Sequence, residues 1–259
     1  MKASSVTATT SSRLDRAIAL PVELETRVNA ISTAAIAYCH EALDRSRFFN
    51  LLKTTDQALP IMQYAFLQYR FWRDRLHQWF GLCIVKAGSC SEPDQKAALM
   101  SLADHIFTDL RDDHTELYLE FLQALQLGPE AIQASRRSPA TVAYERSFFD
   151  AHGYGTENFY AALVALSGRE LCVSIRNHQI LRDYFDAQNL KHPLWLALHA
   201  ELEMEHFQDV LRPALAHYAG SSQAVSTLLE TLQRSINRHV QYFEEMLCEY
   251  EALNSGSGT

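Results

Sequence analysis

Turn-forming residues are scarce in this chain, and that scarcity narrows its folds more than any other feature. Only 9 Gly and 7 Pro occur in 259 residues, at wide intervals. An all-β architecture needs a turn roughly every 8–12 residues, so it has too few places to reverse direction. What lies between the breakers carries apolar residues at the 3.6-residue period of helices. The expectation is an all-α chain of about seven long or medium helices. The first runs from Pro21 to near Arg45, and a short element around Phe48 to Leu52 follows. The second runs from Pro60 to Lys86, and the third from Ser91-Glu92-Pro93 to the Gly128-Pro129 stop. Shorter segments from Pro129 to Ser135 and from Ser138 to Ala151 lead to a helix capped by Thr156 and reaching Gln188. His192-Pro193 opens the next, in which Pro213 is a candidate kink, and Ser221-Ser222 opens the last, to about Leu253. No internal repeat or linker divides the chain. It reads as a disordered start at 1–12, one helical domain over 13–253 and a flexible tail at 254–259.

Charge and cysteine usage remove several function classes. A net charge of −8 without a basic stripe leaves nothing to neutralise phosphates, which argues against nucleic acid as a partner. Cys39, Cys83, Cys90, Cys172 and Cys248 are odd in number and widely spaced, which suits neither a disulfide framework nor a zinc-thiolate site. The first twelve residues lack the apolar core of a signal peptide, and no apolar run approaches membrane-spanning length. The expectation is a cytoplasmic protein without a membrane partner, acting on a small molecule; a homodimer stays open. There is no Gly-rich phosphate loop and no nucleophile elbow.

The stretch His199-Ala-Glu-Leu-Glu203-Met-Glu-His206 carries the strongest chemical signal. At about 100° per residue, Glu203 lies roughly 40° and His206 roughly −20° from His199, so one helix face presents two imidazoles and a carboxylate. Those donors suit iron, manganese or zinc. The plainer alternative is a solvated charged face, but Leu198, Leu202 and Val210 flank this one. His114 is the second candidate. On a continuous third helix it shares a stripe with Ala103, Phe107, Leu110, Leu117 and Phe121, which points it inward. Its plainer alternative is a neutral core histidine bonded to a carbonyl.

Together these residues resemble a family. Ser46-Arg-Phe-Phe-Asn-Leu-Leu, Gln68-Tyr69, His114 with the run to Gly128, Ala165-Leu-Ser-Gly168 and the His199/Glu203/His206 triplet follow the order found in haem-oxygenase-like proteins. More narrowly, the chain is similar over residues 22–250 to the haem-oxygenase-like di-metal oxidases, or iron-containing redox enzymes. The resemblance implies a bundle of about seven helices, one or two Fe(II) ions, O2 as co-substrate, and N-oxygenation, desaturation or C–C cleavage of an amino-acid- or fatty-acid-like substrate. It also implies that His114 and His199 ligate one iron, and Glu203 and His206 the other.

The departures from that pattern are specific. Where the family supplies a carboxylate before the first histidine, this chain has Phe107 and Arg111. Asp109 faces away by about 140° on an unbroken helix and needs a π-bulge to come within about 40°. Ser167 stands where a glutamate is expected, with Glu170 one turn later, and Arg73 and Asp74 stand near a first-helix carboxylate position. The candidate ligands are therefore His114, His199, Glu203 and His206, helped by Asp109 or Glu170, with one ion held well and a second weakly. Two rival readings remain: haem ligation through His40, and a cofactor-free binding protein with a degenerate site. Arg70, Arg73 and Arg169 are candidate partners for a substrate carboxylate, and the aromatic run from Tyr64 to Phe80 reads mainly as core.

Overall fold

The computed structural model describes residues 21–54, 58–87, 93–152, 159–218 and 221–255. The expectations for 1–12, for Ser91-Glu92 and for the Thr156 cap fall outside them. Among the described residues every regular element is helical. They are α1 (Val22–Arg45), α2 (Arg47–Thr54), α3 (Ala58–Arg73), α4 (Leu76–Lys86), α5 (Pro93–Arg111), α6 (His114–Ala124), α7 (Pro129–Ala134), α8 (Pro139–His152), α9 (Phe159–Ile175), α10 (Arg182–Ala187), α11 (Leu194–Tyr218) and α12 (Ser222–Ser255). A π-helical segment, Arg176–Leu181, joins α9 to α10 without a break.

The fold is built around α9. From Ala162 to Ile175 nearly every side chain is buried: the segment is largely apolar, and its few polar side chains, Ser167, Arg169, Glu170 and Ser174, find partners inside the protein. The helix packs against α11 and α12, with α1 across it, and α5 packs on α11. Gly168 makes the close approach to α12 possible: a Cβ there would lie 3.0 Å from the Leu232 carbonyl oxygen and from Ser235 Cβ. Hydroxyls tie the same helix to its neighbours. Ser167 Oγ donates to the Phe207 carbonyl at 3.0 Å and Ser174 Oγ to the Ala200 carbonyl at 2.7 Å, both on α11.

Two of the seven expected long helices are broken. The helix expected from Pro60 to Lys86 begins at Ala58 and divides at Asp74–Arg75, where the Arg75 amide bonds back three residues to Trp72 at 3.1 Å. The second break matters more for function. Asp113 takes a left-handed conformation, φ 46°, and its side chain accepts from the Glu116 amide, so it ends α5 and caps α6. The stripe expected to point inward on α5 is therefore turned out, with Phe107 59% and Leu110 66% exposed. The buried face of α5 carries Ala98, Leu102, His105 and Thr108 instead. A continuous helix would put His105 about 180° from His114, whereas the cap resets the helical phase and lets both point in. Asp109 reaches His114 through the same break, with no π-bulge in α5. No described helix is long and apolar enough to cross a membrane.

Candidate metal centre

Four side chains from three helices converge beside α9. His105 comes from α5, Glu170 from α9, and Glu203 and His206 from α11; one ligand atom from each lies within 4.8 Å of all the others. Donors on opposite sides of an ion with bonds of about 2.0–2.2 Å are separated by roughly 4.3 Å, so this spacing is near that of a bound dication. Glu203 and His206 sit one turn apart, His206 Nδ1 3.1 Å from Glu203 Oε2. His105 stacks on His206 with ring centroids 3.6 Å apart and brings its Nδ1 to 3.7 Å from Glu170 Oε1. Phe80 packs against His105 as well, 4.4 Å between centroids.

The electrostatics of this cluster suit a cation. Burial, with His206 alongside, keeps the His105 imidazole neutral well below its ordinary range, the protonation state a ligand needs. Burial and the neighbouring Glu203 push the Glu170 carboxyl up to about 7. Burial would raise Glu203 as well, but the His206 hydrogen bond and the Arg169 charge outweigh it and hold Glu203 ionised. Glu170 Oε2 is buried and has no hydrogen-bond partner. A fully buried carboxylate oxygen left without a partner is costly, and a metal ion is one group that would satisfy it. Two imidazoles and two carboxylates are a donor set that fits iron or manganese.

A second group adjoins on α5, α6 and α11. His114 and His199 lie edge to face with centroids 4.9 Å apart. Asp109 Oδ1 is 2.8 Å from His114 Nδ1 and 3.2 Å from Arg73 Nη2, while Arg73 Nη1 donates to Thr115 Oγ1 at 2.9 Å. Burial would raise Asp109, but His114 and Arg73 beside it hold it below its usual range. Burial pushes His199 down to about 3, and its Nδ1 lies 2.8 Å from the Trp195 carbonyl, to which it donates as a neutral ring. Among the described residues these three do not form a cluster as tight as the first.

Of the residues singled out in the sequence, Glu170, Glu203 and His206 thus share one cluster, and Asp109, His114 and His199 share the adjoining one. Reading the third helix as continuous hides His105 from sequence analysis. The signal that reveals it is Asp113-His-Thr-Glu116, a helix-capping spacing that marks a new start at His114. Ser167 spends its hydroxyl on the backbone of α11. Arg169 and Arg73, candidate holders of a substrate carboxylate, are engaged within the protein: Arg169 Nη2 lies 3.4 Å from Glu170 and 3.9 Å from Glu203. Arg70 donates to Ser135 Oγ at 3.1 Å. His40 lies elsewhere, in a pocket of about 560 Å³ that also takes in Asp44, Lys53, His178 and Asp183. Those charged walls differ from the apolar slot that buries a porphyrin.

Comparison with known proteins places the fold and leaves the chemistry open. The sequence matches no known family profile and no characterised protein. Solved structures do match. A TenA family transcription regulator from Silicibacter shares 15% identity over 85% of this chain and 95% of its own, with a TM-score of 0.61. A TenA homolog from Pseudomonas syringae pv. tomato shares 13% identity over 87% of this chain and 93% of its own, with a TM-score of 0.65. A domain of unknown function with a haem oxygenase-like fold from Shewanella denitrificans shares 14% identity over 93% of this chain and 98% of its own, with a TM-score of 0.66. The chain has the haem-oxygenase-like fold.

Proposed function

We propose that this protein is a cytoplasmic non-haem iron oxidase or oxygenase that uses O2 on a small amino-acid- or fatty-acid-like substrate, by N-oxygenation, desaturation or C–C cleavage. The observation that carries the reading is the inward-facing quartet His105, Glu170, Glu203 and His206, with Glu170 Oε2 lacking any protein partner. Bound Fe(II) would supply the one-electron steps that O2 requires and that no side chain here provides.

The chain's own residues prepare that chemistry. Glu203 stays ionised and offers charge to a cation, while Glu170 holds a proton near neutrality and releases it when a cation arrives. The Arg169 guanidinium lies 4.6 Å over the Trp72 ring and 3.3 Å from the Tyr69 hydroxyl, which fixes its charge beside both glutamates. Phe80, Trp72 and Trp195 are buried and keep water from the two histidine groups. His199, neutral and donating from Nδ1 to the Trp195 carbonyl, is held in a fixed orientation beside His114 at the edge of the site.

One observation favours a second reading, a cofactor-free small-molecule binding protein: Arg169 already offsets part of the glutamate charge. Anaerobic Fe(II) titration followed by exposure to O2 separates the two. The oxidase reading expects stoichiometric iron without porphyrin, O2 uptake by the loaded protein, and at least about 100-fold weaker iron binding in His105→Ala and His206→Ala. Absence of specific iron binding in the wild type would sink it.

A further inference from the structure

We propose that the centre takes one metal ion and not two, because the buried guanidiniums of Arg169 and Arg73 occupy the electrostatic role of a second cation. The inference rests on the oxidase reading above and concerns how many ions that site holds and where. The two groups of candidate ligands contain three carboxylates: Glu170 and Glu203 in the first, Asp109 in the second. Each group has its own arginine. Arg169 is 2% exposed and lies within 3.4 Å of Glu170 and 3.9 Å of Glu203. Arg73 is 5% exposed and lies 3.2 Å from Asp109.

Neither guanidinium is a loosely placed surface charge. Arg73 is anchored by Thr115, and Arg169 by Tyr69 and the face of Trp72. A guanidinium is a fixed cation in proteins. Three carboxylates against two guanidiniums leave one net negative charge across the centre. One dication brings it to one net positive charge; a second would raise that to three, in a buried volume where like charges are weakly screened. The ion belongs on the His105 side, where both glutamates and the orphaned Glu170 oxygen lie. On the other side Arg73 and His114 both lie against Asp109 Oδ1, so a metal there competes for that oxygen and sits beside the Arg73 charge. At an effective dielectric of about 20, a unit charge some 6 Å from an incoming dication weakens its binding by on the order of 10,000-fold.

Mn(II) is a suitable probe, since an isolated ion gives a six-line magnetic resonance spectrum and a coupled pair gives a multiline one. Titration of the full chain with Mn(II), with metal content by mass spectrometry, is expected to give one tight ion per chain and a six-line spectrum. The first ion should be lost in His105→Ala and retained in His199→Ala. Arg73→Met frees Asp109 and should admit a second ion with a coupled spectrum, whereas Arg73→Lys keeps the charge and should stay at one. Two tight, coupled ions in the wild type would overturn the inference and leave the oxidase reading standing. So would a folded Arg73→Met that stays at one ion, or loss of the ion in His199→Ala with retention in His105→Ala. No specific ion at all would overturn both.

Discussion

Replacing Glu170 by glutamine should change stability in a pH-dependent way whose sign and size follow from burial. The Glu170 carboxyl is wholly buried and its pKa is pushed from 4.5 to about 7, first by desolvation and then by Glu203. An acid raised in this way binds its proton more tightly folded than unfolded. Its contribution to stability is therefore greatest below pH 4.5 and is lost as the pH rises to about 7, because only the unfolded chain gives up the proton in that window. At 1.36 kcal/mol per pKa unit the loss is about 3 kcal/mol. Other groups titrate in the same range. The folded-state pKa values of His105, His199 and His239 are depressed by burial, so they favour folding above about 6.5 and cost stability below it. They are present in both proteins and cancel in the difference between wild type and Glu170→Gln. Folded Glu203 is ionised across the window in both proteins. The assay is urea unfolding of the two metal-free proteins, in chelator, at half-unit steps from about pH 4.5 to 8. The variant should gain on the wild type by about 3 kcal/mol between about pH 4.5 and 7 and no further above it. A difference that does not vary with pH, or one that favours the wild type as pH rises, would refute the reasoning.

Two further substitutions test how the fold positions the site. Asp113→Val should cost about 2–3 kcal/mol in urea unfolding and weaken metal binding as well, since a β-branched residue is strained in the left-handed region and the cap to Glu116 is lost; Asp113→Gly should stay within about 1 kcal/mol of wild type. Gly168→Ala should cost about 1–3 kcal/mol and lower the thermal midpoint by several degrees, because its new methyl meets the Leu232 backbone oxygen at 3.0 Å.

Individual elements differ in how far they can be read from the chain. The extents of α1, α11 and α12 follow from Pro21, His192-Pro193 and Ser221-Ser222 to within a residue or two. Each is a long segment whose ends are marked by local chemistry. The break between α3 and α4 has no Gly or Pro to announce it. The break at Asp113 does have a local mark, the capping spacing to Glu116, but an apolar stripe running through it at helical period is the louder signal. That stripe points to Phe107 and Leu110 as core residues, and both are exposed.

The ligand types and the pairing of Glu203 with His206 were determined by sequence, because a helix fixes the angle between residues three or four apart whatever surrounds it. So was the all-α class, which follows from the lack of turn residues. Only the tertiary structure decided that His105 faces Glu170 across two helices, that Asp109 falls to Arg73 and His114, and that Arg169 reaches Glu203 on the neighbouring helix. These contacts join residues far apart in the chain or depend on one left-handed residue resetting the helical phase, and periodicity within a segment carries no information about either.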